Sequence, residues 1–227
     1  MTEATTFAEV IETVREQSSH LLGTTISYGE HDWAEATPLP GWTRSHIAAH
    51  LIDNALAISG AIDRLADGPT SLHGQHEHTE VDVELRALRS GVDLQIELDE
   101  TAGALQQVLP RVEQVVSQVA ITGGWSIPAH QLPILRLREV MIHHYDLIGT
   151  DAFELPKRLW LELLAFEIER PSHASLPPLL VVSDEGFSCM LGTGEEATTI
   201  MGPARDLFAW LARRVPSTNL SGVDTLA

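Results

Sequence analysis

Apolar residues recur with helical spacing in four long stretches of the first 150 residues. Thr43 is a good N-cap for the second stretch, and the run Asp67-Gly68-Pro69 stops it. Four long helices in succession predict a four-helix bundle. The predicted helices cover residues 7–23, 44–66 and 81–108, and the region around LREVMIHHYDL at residues 137–147.

The third stretch is interpreted as one continuous helix from Val81 to Val108, followed by a break at Pro110. Beyond the break, VSQVAITGGWSIP at residues 116–128 contains two short β-prone pieces, which predict either a hairpin or an irregular loop. The apolar markers of the helix are Leu85, Leu88, Val92, Ile96 and Leu105.

The pattern changes after Gly149. A predicted helix over Pro156–Glu169 precedes three short β-prone runs, PLLVVSD, FSCML and ATTIM, and a last helix is predicted from Gly202 to Arg214. We therefore expect an α+β fold, in which a helical bundle over residues 1–150 is followed by a small α+β domain over residues 151–227.

Composition narrows the classes of partner. The chain has 227 residues, 44% of them hydrophobic, and a formal net charge of −18. A strongly acidic protein is a poor partner for nucleic acid or for an anionic membrane, so we expect neither. An anionic small-molecule substrate would need a local positive site. The N-terminus carries no signal-peptide pattern and no apolar run approaches bilayer length, so the expected location is the cytoplasm.

Cysteine usage restricts any metal site to His, Asp and Glu ligands. Cys189 is the single cysteine of the sequence, which excludes an internal disulfide and a thiolate cluster, and we interpret it as a small residue within a strand. His73, His76 and His78 lie in a polar, Gly-flanked stretch that is better interpreted as a solvated loop than as a metal site.

Two predicted helices each carry a pair of potential ligands one turn apart. Glu139 and His143 are spaced i, i+4 in the fourth helix, and His46 and His50 have the same spacing in the second. Each pair alone is typical of an exposed hydrogen-bonded pair. Two facing helices of a bundle can instead bring Glu139, His143 and one of these two histidines to one point. Such a set suits zinc, or less selectively iron, nickel or manganese, and leaves a coordination position open for catalysis.

The sequence also resembles a known family. GWTRSHIAAHL at residues 41–51, LRLREVMIHHYDL at residues 135–147 and GPARDLFAWLARR at residues 202–214 resemble motifs of the mycothiol-dependent maleylpyruvate isomerase family, and the resemblance covers nearly the whole chain. It implies a DinB-like metal-binding bundle followed by a domain similar to sterol carrier proteins.

The resemblance also implies a set of site residues. A divalent metal ion, usually zinc in the family, would be held by His50, Glu139 and His143. An arginine at the end of the last helix would have a catalytic role, and its equivalent is Arg214, with the adjacent Arg213 as the alternative. The family resemblance assigns no residues to the binding of the thiol cofactor.

The implied chemistry uses mycothiol, a low-molecular-weight thiol. A free thiol has a pKa of about 8.5, whereas a metal-coordinated thiol is deprotonated. In the isomerase, the thiolate would add to the conjugated double bond of maleylpyruvate, the resulting single bond would rotate, and elimination would release fumarylpyruvate. Two alternatives remain: a metal-dependent mycothiol S-transferase that acts on another electrophile, and a non-enzymatic binder of small molecules or lipids.

Polar residues near the proposed ligands have two interpretations each. Asp53 and Asp146 are expected either to orient a histidine of a neighbouring helix or to form a salt bridge. His46 either lines the site or, in the favoured interpretation, forms hydrogen bonds in the first helical turn. Structural ion pairs near helix ends are expected for Arg44, Arg136 and Arg138.

Overall fold

The protein forms two compact units, the first over Thr6–Ala152 and the second made mainly from Phe153–Ala227. Helices dominate the first unit and a small sheet with flanking helices forms the second, which confirms the predicted α+β class. This computed structural model describes residues 5–72, 80–121, 124–149, 154–173, 176–194, 196–212 and 218–223.

The first unit is built on four long helices that pack against one another: α1 against α5 and α6, and α3 against the same two. The helices described in this unit are α1 (Phe7–Thr25), α2 (Glu30–Trp33), α3 (Arg44–Arg64), α4 (Glu80–Ala87), α5 (Gly91–Val108) and α6 (Leu132–Ile148). The predicted first, second and fourth helices are confirmed as α1, α3 and α6. Short 3-10 turns lie at Leu65–Asp67, Leu109–Val112 and Ala129–Gln131.

The prediction of one continuous third helix is wrong, because the chain breaks between α4 and α5. Ser90 is the N-cap of α5, and its hydroxyl accepts a hydrogen bond from the backbone N–H of Asp93 at 3.2 Å. A serine that caps a helix has extended backbone geometry, which interrupts helical hydrogen bonding from the preceding residues. The apolar pattern across residues 81–108 therefore belongs to two helices.

The buried face of α5 also differs from the predicted one. Leu94, Leu98 and Leu105 are buried. Of the predicted markers, Leu105 is the one that lies in the core, whereas the other four are exposed; these are Leu85, Leu88, Val92 and Ile96. Apolar residues on both sides of α5 leave its orientation undetermined by periodicity, and packing against α3 and α1 decides it.

The core of the first unit joins the four long helices. Its buried members include Leu51 and Ile52 of α3, Leu98 of α5, and Val140 and Leu147 of α6. These apolar positions alternate along α3 and α6 with the polar residues of the candidate site, so the same packing that buries the core fixes the site side chains.

The two β-prone pieces pair as antiparallel strands, residues 118–120 with 126–128, which favours the hairpin over the irregular loop. Strands β1 (Thr70–Ser71), β2 (Gln118–Ala120) and β3 (Ser126–Pro128) make a sheet in that order, in which β2 pairs parallel with β1 and antiparallel with β3.

The second unit has the predicted αβββα order. It contains α7 (Lys157–Ile168), a 3-10 turn at Pro171–His173, β4 (Leu179–Ser183), β5 (Ser188–Leu191), β6 (Thr198–Gly202) and α8 (Ala204–Leu211). The strand order is β5-β4-β6, with β4 antiparallel to β5 and parallel to β6. Leu179, Val181 and Ile200 are buried, and α8 packs against α7, β4 and β6. Cys189 is half-buried in β5, as predicted.

Two groups of residues singled out in the sequence lie outside the described residues: the histidines at 73, 76 and 78, and the adjacent Arg213 and Arg214. Within the described ranges, no helix is both long enough and apolar enough to cross a membrane.

Gly91 is expected to be required by the contact between α5 and Trp33. A Cβ atom at Gly91 would lie 2.1 Å from Cδ1 of Trp33, whose ring is buried. Gly91→Ala should therefore lower the free energy of unfolding by about 1–3 kcal/mol through overpacking, measured by urea denaturation.

Gly103→Ala is the matched control within α5, because a Cβ there has no atom within 4 Å. Its higher helix propensity should raise stability by about 0.5–1 kcal/mol. Equal stability changes in the two variants would contradict the proposed role of the Trp33 contact.

Candidate metal centre

The candidate site lies where α3 packs against α6. His50 is in the second turn of α3, whose start is set by the N-cap Thr43, and Glu139 and His143 occupy successive turns of α6. Because residues i and i+4 share one face of a helix, Glu139 and His143 both face α3. The structure thus brings together the three side chains that the family resemblance selects, and among the two histidines of α3 it is His50 that joins them.

The donor atoms of the three side chains converge. Nε2 of His50 lies 3.1 Å from Oε2 of Glu139, and Nε2 of His143 lies 3.5 Å from the same oxygen. One donor atom from each residue lies within 4.8 Å of the others. A tetrahedral zinc ion with ligand bonds of about 2.0–2.1 Å holds its donor atoms roughly 3.3 Å apart. The spacing and chemistry of this set therefore suit such an ion.

Asp146 fixes the orientation of His143. Its Oδ2 lies 3.0 Å from Nδ1 of His143, and both side chains are buried. A proton on Nδ1 that is donated to this carboxylate leaves Nε2 with its lone pair on the side of Glu139, which is the arrangement found at metal-binding histidines. The histidine that Asp146 contacts lies on its own helix, where residues three apart share a face, and not on a neighbouring one. The contact therefore combines the two interpretations of Asp146, since it orients a histidine and pairs a carboxylate with it.

Arg138 contacts the other oxygen of the central carboxylate. Its Nη1 donates to Oε1 of Glu139 at 2.7 Å, and the side chains are 12% and 11% exposed. The ion pair predicted for Arg138 is confirmed, but its partner belongs to the site itself.

Hydrogen bonds keep Glu139 ionised despite its burial. Burial opposes the charged form, but hydrogen bonds with His143 and His50 outweigh it and hold the pKa of Glu139 well below its ordinary value. Burial also disfavours a protonated His143, yet hydrogen bonds with Asp146 and Glu139 raise its pKa. A divalent cation would displace that proton and replace its positive charge.

His50 forms the accessible side of the site. Its side chain is 30% exposed, against 7% for His143. Burial lowers the pKa of His50, although its hydrogen bond with Glu139 opposes this shift. A neutral imidazole is the form that binds metal ions.

Trp42 is a site residue that sequence analysis missed. Its ring centroid lies 5.6 Å from that of His50 and 6.5 Å from that of His143, so the indole forms an aromatic wall beside both histidines. Gly41, with φ of 80°, allows the turn that delivers Trp42 to this position. The signal in the sequence was the segment PLPGW at residues 38–42, whose Pro and Gly favour a turn and which places Trp42 just before the N-cap of α3.

His46 forms hydrogen bonds in the first turn of α3, as favoured from the sequence. Nδ1 accepts from the backbone N–H of Thr43 at 3.2 Å, and Nε2 lies 3.2 Å from Oε2 of Glu84. Asp53 follows its salt-bridge interpretation, since Oδ1 lies 2.8 Å from Nη2 of Arg86 in α4.

The two other arginines singled out in this unit differ in their partners. Nη1 of Arg44 lies 2.8 Å from Oε2 of Glu35, so the predicted ion pair is confirmed. Arg136 is buried and donates to the carbonyl of Leu51 and to Oδ1 of Asn54, at 2.9 and 2.8 Å. Its burial lowers the pKa to about 10. The guanidinium thus links α6 to the backbone of α3 beside the site.

Comparisons with known proteins point to one family. A sequence profile described as the mycothiol maleylpyruvate isomerase N-terminal domain matches residues 13–148. A crystal structure of a mycothiol-dependent maleylpyruvate isomerase is 21% identical to this chain, with a TM-score of 0.82 over 97% of this chain and 96% of that one. A crystal structure of a histidine-to-alanine mutant with the same description gives 20% identity and the same TM-score and coverage. These likenesses establish the fold. No curated protein sequence matches the chain.

The purified protein is expected to carry a stoichiometric divalent ion that is lost in His143→Ala, because this change removes one of the converging donors. Elemental analysis of the dialysed proteins measures this. His46→Ala is the matched control and should retain the ion, since the His46 ring contacts Thr43 and Glu84. Loss of the ion from both variants would contradict the assignment of His50 as the ligand from α3, and a wild-type protein without an ion would contradict the site.

Asp146→Asn should weaken metal affinity by about 10- to 100-fold, because the histidine loses the carboxylate that orients it. Competition with a chromophoric chelator measures the affinity. Asp53→Asn removes another buried carboxylate of the same unit, one that pairs with Arg86, and should lower stability without changing metal affinity. Equal affinities of the Asp146 variant and the wild type would refute the orienting role.

Proposed function

Because the chain belongs to the mycothiol maleylpyruvate isomerase family through its N-terminal domain, we propose that it is a metal- and thiol-dependent cis–trans isomerase. Its substrate would be a small anionic molecule with a conjugated double bond, resembling maleylpyruvate, and its thiol would be mycothiol. The observation that carries the proposal is the convergence of His50, Glu139 and His143 at a point that keeps one accessible side.

The three side chains would hold a divalent ion, for which zinc is the best match to two imidazole nitrogens and one carboxylate oxygen. Such an ion supplies a Lewis acid that binds a thiol as its thiolate near neutral pH. The number of protein donors supports an open position, since catalytic zinc sites keep three protein ligands.

The surrounding residues would prepare the site before any ligand arrives. Asp146 holds the His143 ring in one orientation, and Arg138 holds the Glu139 carboxylate. The Trp42 indole lies beside both histidine rings, near-parallel to His143 and tilted against His50, so its apolar surface would exclude water from that side of the site and lower the local dielectric. His50, the most exposed of the three donors, lies on the side from which a thiol would approach.

An anionic substrate must overcome the formal net charge of −18. Within the described part of the first unit, the guanidinium of Arg138 is in direct contact with the Glu139 carboxylate. Arg136 is buried on the same helix, about one turn before Glu139. The family resemblance adds Arg214 as a group that would bind a substrate carboxylate through two parallel hydrogen bonds, and this role stays a prediction.

The proposed reaction can be followed directly. Purified protein loaded with zinc and supplied with mycothiol and maleylpyruvate should form fumarylpyruvate, and both the chelator-treated protein and His143→Ala should be inactive. Restoring zinc should restore the chelator-treated protein but leave His143→Ala inactive, because the variant lacks a donor rather than the ion.

One outcome would redirect the assignment to the S-transferase. Turnover of a model electrophile such as a haloarene, with mycothiol consumed and no fumarylpyruvate formed, would overturn the isomerase and support the S-transferase alternative. His46→Ala serves again as the matched control and should keep its activity, since His46 makes its hydrogen bonds within the first turn of α3 and to Glu84.

A further inference from the structure

The two oxygens of the Glu139 carboxylate have different partners. Oε2 lies 3.1 and 3.5 Å from the Nε2 atoms of His50 and His143, whereas Oε1 accepts a hydrogen bond from Nη1 of Arg138 at 2.7 Å. A carboxylate can bind a metal ion through one oxygen or through both. Here one oxygen faces the other two donors, and the second is occupied by a guanidinium.

The contact between Arg138 and Glu139 does not follow from helical spacing. Consecutive residues of a helix project about 100° apart and do not ordinarily face each other. The Arg138 side chain must therefore turn back toward its neighbour to reach Oε1. The pair is only 12% and 11% exposed, so solvent screens this charge-assisted hydrogen bond less than it screens a surface ion pair.

The nearby Arg136 has other hydrogen-bond partners than the Glu139 carboxylate. Its Nη1 donates to Leu51 and Asn54 of α3, and its guanidinium thereby ties α6 to α3. Among the described residues of α6, Arg138 is the arginine that donates a hydrogen bond to the site carboxylate. Arg136 thus holds α6 against α3, whereas Arg138 contacts the carboxylate that would bind the metal ion.

We propose that Arg138 is a positioning residue that keeps Glu139 a one-oxygen metal ligand and so preserves the open position for the thiol. The inference rests on the proposed metal- and thiol-dependent function. Without the guanidinium, Oε1 would be released to bind the same ion, and the carboxylate would take up the position that the thiol requires. The positive charge of Arg138 also offsets the carboxylate, which leaves the loaded site more positive toward an anionic thiolate.

Cobalt substitution tests this role without reference to turnover. Co²⁺ can replace zinc in such donor sets, and its visible absorption is strong in four-coordinate sites and weak when the coordination number rises. The variants are Arg138→Met, which keeps an apolar stem but has no hydrogen-bond donor, and Arg138→Lys, which keeps a charged donor. Arg15→Ala is the control, because Arg15 pairs with Glu12 on the surface of α1.

The wild type and the Arg15 control should show strong cobalt absorption and, with 2-mercaptoethanol, a thiolate-to-cobalt charge-transfer band. Arg138→Met should still bind cobalt, but its thiolate-to-cobalt charge-transfer band should weaken and its thiol affinity should drop by about tenfold or more, because Oε1 then occupies the position of the thiol. Arg138→Lys should restore both, since its ammonium can donate to Oε1.

An unchanged spectrum and thiol affinity in Arg138→Met would overturn the inference, and so would a lysine variant as altered as the methionine variant. Both results leave the proposed function standing, because the wild type would still bind the ion and the thiol. A wild-type protein that binds no cobalt, or binds cobalt that no thiol reaches, would instead refute the proposed function, and this inference with it.

Discussion

The buried carboxylate of Glu139 is the group on which the site and its surroundings depend. A charge with so little exposure is stable only when it is compensated, and here compensation comes from His50 on α3, from His143 on α6 and from Arg138. The contact with His50 is the one that crosses between helices, and it requires α3 and α6 to keep one relative position. The packing of the two helices and the geometry of the donors are therefore the same constraint.

The apolar core also fixes the relative position of α3 and α6. Leu51 and Ile52 of α3 and Val140 of α6 are buried beside the polar cluster and fix the two helices along their contact. Arg136 adds a hydrogen bond to the α3 backbone at Leu51. Because close-packed interiors resist displacement, side chains that project from these helices are held to a narrow range of positions. Such rigidity is what a metal site needs from its scaffold.

Sequence reasoning was strongest where chemistry follows helical periodicity. Glu139 and His143 are four residues apart, and that spacing is enough to place them together. Spacing alone left His46 and His50 equal, because the choice depends on the rotation of α3 about its axis, which its packing determines; the family resemblance selected His50. The break in the third helix was missed because the spacing of apolar residues carries no information about its two causes. These are the local N-cap at Ser90 and the tertiary contact of Gly91 with Trp33. Trp42 was missed for a related reason, since its role depends on a turn.

The distance along the chain between the donors has a thermodynamic consequence. His50 and Glu139 are 89 residues apart, so an ion that bound both would join distant parts of the sequence as a reversible cross-link. Its contribution would depend on supply: at a free concentration one thousand times its dissociation constant, an ion that binds only the folded state stabilises it by about 4 kcal/mol. The persistence of the folded first unit in a cell would then vary with metal availability, and metal limitation would lower the amount of protein as well as the activity of each copy.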